Sequence, residues 1–102
     1  MYNPNNEMNI LIKWLAKENI PFEVVPFLLD GEPSIQICYP NMKHCLLDAV
    51  SHKFSYGGPA GLIEMMGEGE CEPLTDYDVK GWLTAEEAFV IFLKAFRKEF
   101  ED

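Results

Sequence analysis

At 102 residues, with 48% hydrophobic and 13% aromatic content, the chain has enough apolar surface for one packed domain over 1–102 and too much for a disordered tail. Seventeen acidic against eight basic residues give a net charge of −9, which argues against direct nucleic-acid binding, because phosphate neutralisation needs clustered Lys and Arg. No apolar run approaches the roughly 20 residues of a membrane span, and Met1 to Glu7 lacks a basic secretory n-region, so a cytoplasmic protein without membrane contact is expected.

Asn5 or Asn6 can cap a first helix, expected over 5–18, in which Met8, Leu11, Ile12 and Leu15 share a face flanked by Trp14. Asn19 suits a left-handed stop, and Pro21 blocks continuation. Residues 22–29 are rich in strand formers, with Pro26 placing the segment at an edge or bulge, and Asp30-Gly31 is a hairpin turn. The second strand, over 34–39, alternates Ile35, Ile37 and Tyr39 with Ser34, Gln36 and Cys38. Pro40-Asn41 turns the chain into a third strand over 45–54, antiparallel to the second.

Ser51 to Gly67 reads as a polar strand end, a Gly57-Gly58 turn and a short helix over 59–66, opened by Pro59 and stopped by Gly67. Glu68 to Lys80 reads as an acidic loop, since Gly69, Pro73 and the lack of periodicity break any regular element. Thr84 and Glu87 form a capping-box pattern for a last helix over 84–100. Phe89, Phe92, Phe96 and Phe100 follow at helical spacing as an aromatic stripe, with Lys94, Arg97 and Lys98 late in the helix, where they complement its dipole. The expected fold is α+β: a three-stranded antiparallel meander packed against the N- and C-terminal helices, in the order α-β-β-β-α-α. So small a sheet leaves edges open, which together with the wide stripe favours a homo-oligomer.

The helix start at Pro59 is the best candidate for chemistry, because a glycine turn before a helix presents free N–H groups to an anion. Gly57, Gly58, Ala60 and Gly61 supply the backbone, His52 and Lys53 the charge, and Ser55 and Tyr56 the hydroxyls and a ring to pack on a ligand. The turn lacks the Lys and Ser or Thr of a phosphate loop, so the motif is a weak one. The second candidate is acidic: between Glu64 and Glu87 there are eight acids against Lys80. Of these, Glu68, Glu70, Glu72, Asp76 and Asp78 form a surface for a basic partner, or a solvated loop.

Other combinations lead nowhere. His44, Cys45, His52 and Cys38 fit no zinc spacing, so no metal and no cofactor is expected. Cys45 beside Leu46-Leu47 and Cys71 between two glutamates are poor nucleophiles, and nothing fixes the separation of Asp48 and Glu64 as an acid–base pair. Cys38, Cys45 and Cys71 are odd in number, which favours reduced thiols. A protein that is not an enzyme is expected.

Two segments, Ser55-Tyr56-Gly57-Gly58 through Gly61-Leu62-Ile63-Glu64-Met65-Met66-Gly67 and Val79-Lys80-Gly81-Trp82-Leu83-Thr84-Ala85-Glu86-Glu87, resemble a family of small uncharacterised proteins encoded by phages and prophages of Firmicutes. The likeness covers the second half of the chain and brings no catalytic residues. It implies a phage accessory protein in the host cytoplasm, similar in size and charge to inhibitors of bacterial immunity. Two roles follow as expectations. One is an oligomeric sponge that sequesters a nucleotide or cyclic nucleotide immune signal at His52 to Gly61. The alternative is an acidic, DNA-mimic inhibitor of a host defence nuclease, acting through Glu68 to Asp78.

Overall fold

The computed structural model describes residues 7–100, and the caps expected at Asn5 or Asn6 lie outside them. Helix α1 (Glu7–Lys17) buries Met8, Leu11 and Leu15, the face read from its periodicity, and Asn19 ends it at φ 58°. Strands β1 (Glu23–Leu29) and β2 (Glu32–Tyr39) form a hairpin around Asp30 (φ 53°) and Gly31 (φ 80°), the pair of positive φ angles that a type I′ turn demands. Its closing pair Leu29↔Glu32 is of the hydrogen-bonded kind. Pro26↔Ile35 and Leu28↔Pro33 therefore fall at non-hydrogen-bonded positions, and neither proline deprives this ladder of a donor.

The sheet does not stop at three strands. Strands β3 (Leu47–Val50), β4 (Ile63–Gly67) and β5 (Val79–Leu83) continue the meander, giving five antiparallel strands in the order β1-β2-β3-β4-β5. The three-stranded sheet and the order α-β-β-β-α-α are thus corrected to α-β-β-β-β-β-α, with short 3-10 turns between strands. The helix expected over 59–66 is one 3-10 turn, Gly58–Ala60, closed by Gly61 at φ 80°. Beyond it, Ile63, Met65 and Gly67 are buried while Glu64 and Met66 are not, the period-2 pattern of a strand. The third strand, expected to reach Phe54, ends at Val50 because residues 51–57 fold into tight turns.

The expected acidic loop is likewise structured, as a 3-10 segment over Gly69–Thr75 followed by β5. A bulge opposite Glu64 disguises β5 in the sequence: Ile63 pairs with Leu83 and Met65 with Lys80, so two residues, Gly81 and Trp82, face one. Helix α2 (Ala85–Phe96) has the anticipated capping box. The Thr84 side chain accepts the Glu87 N–H at 3.2 Å, and Glu87 Oε1 accepts the Thr84 N–H at 3.0 Å. It ends at Phe96, short of the expected residue 100.

Both helices cover one face of the sheet, where Ile37, Leu47, Ala49, Ile63 and Met65 are buried with Phe92, Met8, Leu11 and Leu15 as the core. The expected aromatic stripe is only partly core. Phe92 is fully buried with its ring 6.3 Å from that of Tyr39, Phe89 stacks edge-on to Trp14, and Phe96 is 43% exposed because it flanks the buried face. At the sheet edges, Pro26 sits with its missing N–H pointing outward from β1, and the bulge twists β5, so neither edge offers an uninterrupted ladder to a second copy.

Candidate functional site

The turn singled out in the sequence folds over the outer face of the hairpin, the face without helices. Its geometry is set by its own hydrogen bonds. Ser55 is buried, its Oγ donating to the His52 carbonyl and accepting the His52 N–H, both at 2.9 Å. His52 packs edge-on against Phe27, and its Nδ1 accepts the Phe54 N–H at 3.1 Å. Lys53 reaches Asp30 at 3.1 Å and Glu32 at 3.6 Å, and Asp30 holds its ammonium above the ordinary range. Turn and hairpin are thus tied by an ion pair and a ring contact.

The N–H groups expected to face an anion are occupied. Those of Gly58, Ala60 and Gly61 donate to the carbonyls of Ser55, Gly57 and Gly58, and Pro59 has none to give. Gly58 is glycine for packing, since a Cβ there would stand 1.7 Å from the His52 carbonyl oxygen. The eight residues His52, Lys53, Ser55, Tyr56, Gly57, Gly58, Ala60 and Gly61 therefore lie together, yet Lys53 is paired with Asp30 and Glu32, and the N–H groups of Ser55, Gly58, Ala60 and Gly61 are bonded within the turn.

Tyr56 leads to a neighbour that sequence reasoning missed. Its N–H donates to Glu64 Oε1 at 2.9 Å, and its carbonyl accepts the Trp82 N–H at 3.0 Å. Trp82, which falls between the expected acidic loop and the expected last helix, has φ 59° and is 64% exposed. A bulky residue in the left-handed region is an outlier that surrounding structure must enforce. Two glycines do so: a Cβ on Gly81 would stand 2.2 Å from Tyr56 Cβ, and one on Gly57 would stand 2.8 Å from Trp82 Cα. The signal available in the sequence was the Gly-Trp pair inside an otherwise strand-forming run.

The five acids Glu68, Glu70, Glu72, Asp76 and Asp78 are all exposed, but the segment that carries them is anchored. Cys71, Leu74 and Thr75 are buried beneath them, and Thr75 Oγ1 accepts the Gly67 N–H at 3.0 Å. The N–H groups of Glu68, Cys71, Asp76, Tyr77 and Asp78 are bonded to nearby carbonyls. Asp76 pairs with Lys80 at 3.4 Å. These carboxylates stand on a packed platform, not on the loop anticipated from the sequence.

Elsewhere, Asp48 is half-buried on the outer face, accepting from Gln36 Nε2 at 2.8 Å, and burial raises its pKa above the ordinary value. All three cysteines are free thiols; burial pushes Cys45 up to about 12 and Cys71 up to about 11, the opposite of what a nucleophile requires. A cleft of about 470 Å³ lies over the hairpin, lined by Asn9, Pro26, Phe27, Leu28, Pro33 and Ile35 among others; it includes none of the five acids, and of its lining Phe27 also packs on His52 of the turn. Among the described residues there is no group of three or more His, Cys, Asp or Glu placed to hold a metal ion, and no helix is long and apolar enough to cross a membrane. No family model, no curated protein and no solved structure matches the chain.

Proposed function

We propose that the protein is a non-catalytic inhibitor whose acidic platform, Glu68 to Asp78, occupies the basic nucleic-acid surface of another protein. The observation that carries this reading is the anchoring of five exposed carboxylates on and beside the 3-10 segment Gly69–Thr75, whose underside is buried: Glu70 and Glu72 lie within it, Glu68 and Asp76 at its ends and Asp78 just beyond. Charges fixed before contact lose little conformational freedom on binding, which is how a preorganised surface competes with a nucleic acid for the same cations. In the context implied by the phage-family resemblance, the target is a host defence nuclease. The nucleotide-sponge reading draws less support, because Lys53 is held by Asp30 and Glu32 and the N–H groups of Gly58, Ala60 and Gly61 are spent on carbonyls of the turn.

The test is a gel-shift panel of purified defence nucleases with their DNA substrates. A stoichiometric excess of the protein should displace DNA from at least one of them, less so as salt rises. Reversing Glu68, Glu70, Glu72, Asp76 and Asp78 to lysine should abolish displacement without unfolding the chain. Displacement that survives the reversal refutes the role of the platform.

A further inference from the structure

The corner formed by Tyr56, Glu64 and Trp82 belongs to neither the acidic platform nor the turn's internal bonding. Three observations meet there. The bulge sets Gly81 and Trp82 together against Glu64, and the backbone of Tyr56 bridges Glu64 and Trp82, donating to one and accepting from the other. Both rings are exposed, Tyr56 by 61% and Trp82 by 64%. Among the described residues the ring contacts are Trp14–Phe89, Phe27–His52 and Tyr39–Phe92, so neither Tyr56 nor Trp82 spends its π-face on another ring. A strained backbone holding an indole in water gains nothing for the core.

Charge complementarity selects the occupant. Lys80, the cation nearest in sequence, is paired with Asp76, and Lys53 is paired with Asp30 and Glu32. Two open aromatic faces beside a carboxylate suit a planar cation, which can stack on a ring while donating to the acid. An ammonium group is more tightly hydrated and cannot stack in this way. We propose that the Tyr56–Glu64–Trp82 corner binds an arginine guanidinium presented by a basic partner protein. This deepens the function proposed above and rests on it for the sign of the partner's charge.

The probes are amidated hexa-arginine and hexa-lysine peptides in physiological salt, with binding measured by titration calorimetry. In a Trp14→Phe background the emission of Trp82 reports contact directly. Hexa-arginine should bind at least fivefold more tightly than hexa-lysine and perturb the Trp82 emission. Trp82→Ala, Tyr56→Ala and Glu64→Gln should each weaken it at least fivefold, while Tyr56→Phe retains binding because the ring and not the hydroxyl is used. Trp82→Gly, which relieves the positive φ, serves as a second variant should Trp82→Ala fail to fold. No binding, equal affinity for the two peptides, or indifference to the Tyr56 and Trp82 changes overturns the corner as the site. If the five-fold reversal of the platform then abolishes nuclease inhibition, the platform reading still stands. Loss at the corner together with inhibition that survives the reversal confirms the corner and refutes the platform.

Discussion

Phe92 and Phe96 lie one turn apart on α2 and are chemically identical, so truncating each to alanine isolates what burial contributes. Phe92 is fully buried and stacks on Tyr39, whereas Phe96 is 43% exposed. Removing about 100 Å² of buried ring surface costs about 2.5 kcal/mol at about 25 cal/mol per Å². A cavity that fails to collapse adds up to about 2 kcal/mol more at position 92, for a total of about 3–5 kcal/mol. At position 96 little more than half of the ring is covered and solvent can fill the space, so the expected loss is about 1–1.5 kcal/mol. Alanine's better helix propensity returns about 0.5 kcal/mol at both positions and cancels in the comparison. Urea denaturation followed by circular dichroism should show the Phe92→Ala midpoint falling far below that of Phe96→Ala at similar slope. A double-mutant cycle with Tyr39→Ala should return a coupling of about 0.5–1.5 kcal/mol. Equal losses at the two positions, or a loss under about 1 kcal/mol at Phe92, would refute the packing of α2 on the sheet.

Asp48 carries a folded-state pKa above its unfolded value, so the folded protein holds this proton more tightly and stability falls as pH rises through the window between the two values. Asp48→Asn, which keeps an acceptor for Gln36, should therefore raise the melting temperature at pH 7, with the gain vanishing below about pH 4; a gain independent of pH would contradict this. Gly58→Ala puts a Cβ 1.7 Å from a carbonyl oxygen and should cost more than about 2 kcal/mol in chemical denaturation, whatever the protein binds. Cys45, at about 12 against an ordinary 9.0, holds about a thousandfold less thiolate than a free thiol. Iodoacetamide at pH 8, read by mass spectrometry, should leave it largely unlabelled until denaturant is added.

Much of the chain's punctuation was readable locally. The Asn19 stop, the Asp30-Gly31 turn, the Thr84–Glu87 box and the edge placement of Pro26 each depend on a residue's own steric and hydrogen-bonding chemistry. The first and last helices followed from periodicity, with their ends set by caps. The candidate site was half legible. Gly57, Gly58 and Lys53 stood out by residue type, but the groups that occupy them, the carbonyls of the turn and Asp30 23 residues away, come from the folded arrangement.

Composition and local pattern determined a charge of −9, two terminal helices and the first hairpin. Only the tertiary structure decided that Ile63–Gly67 and Val79–Leu83 are strands, because a five-residue segment gains little from its own backbone and takes its form from the ladder beside it. It also decided that the acids stand on a packed platform and that Trp82 faces solvent opposite Glu64. Bulges and buried undersides are made by partners distant in the chain, and no window of neighbouring residues contains them.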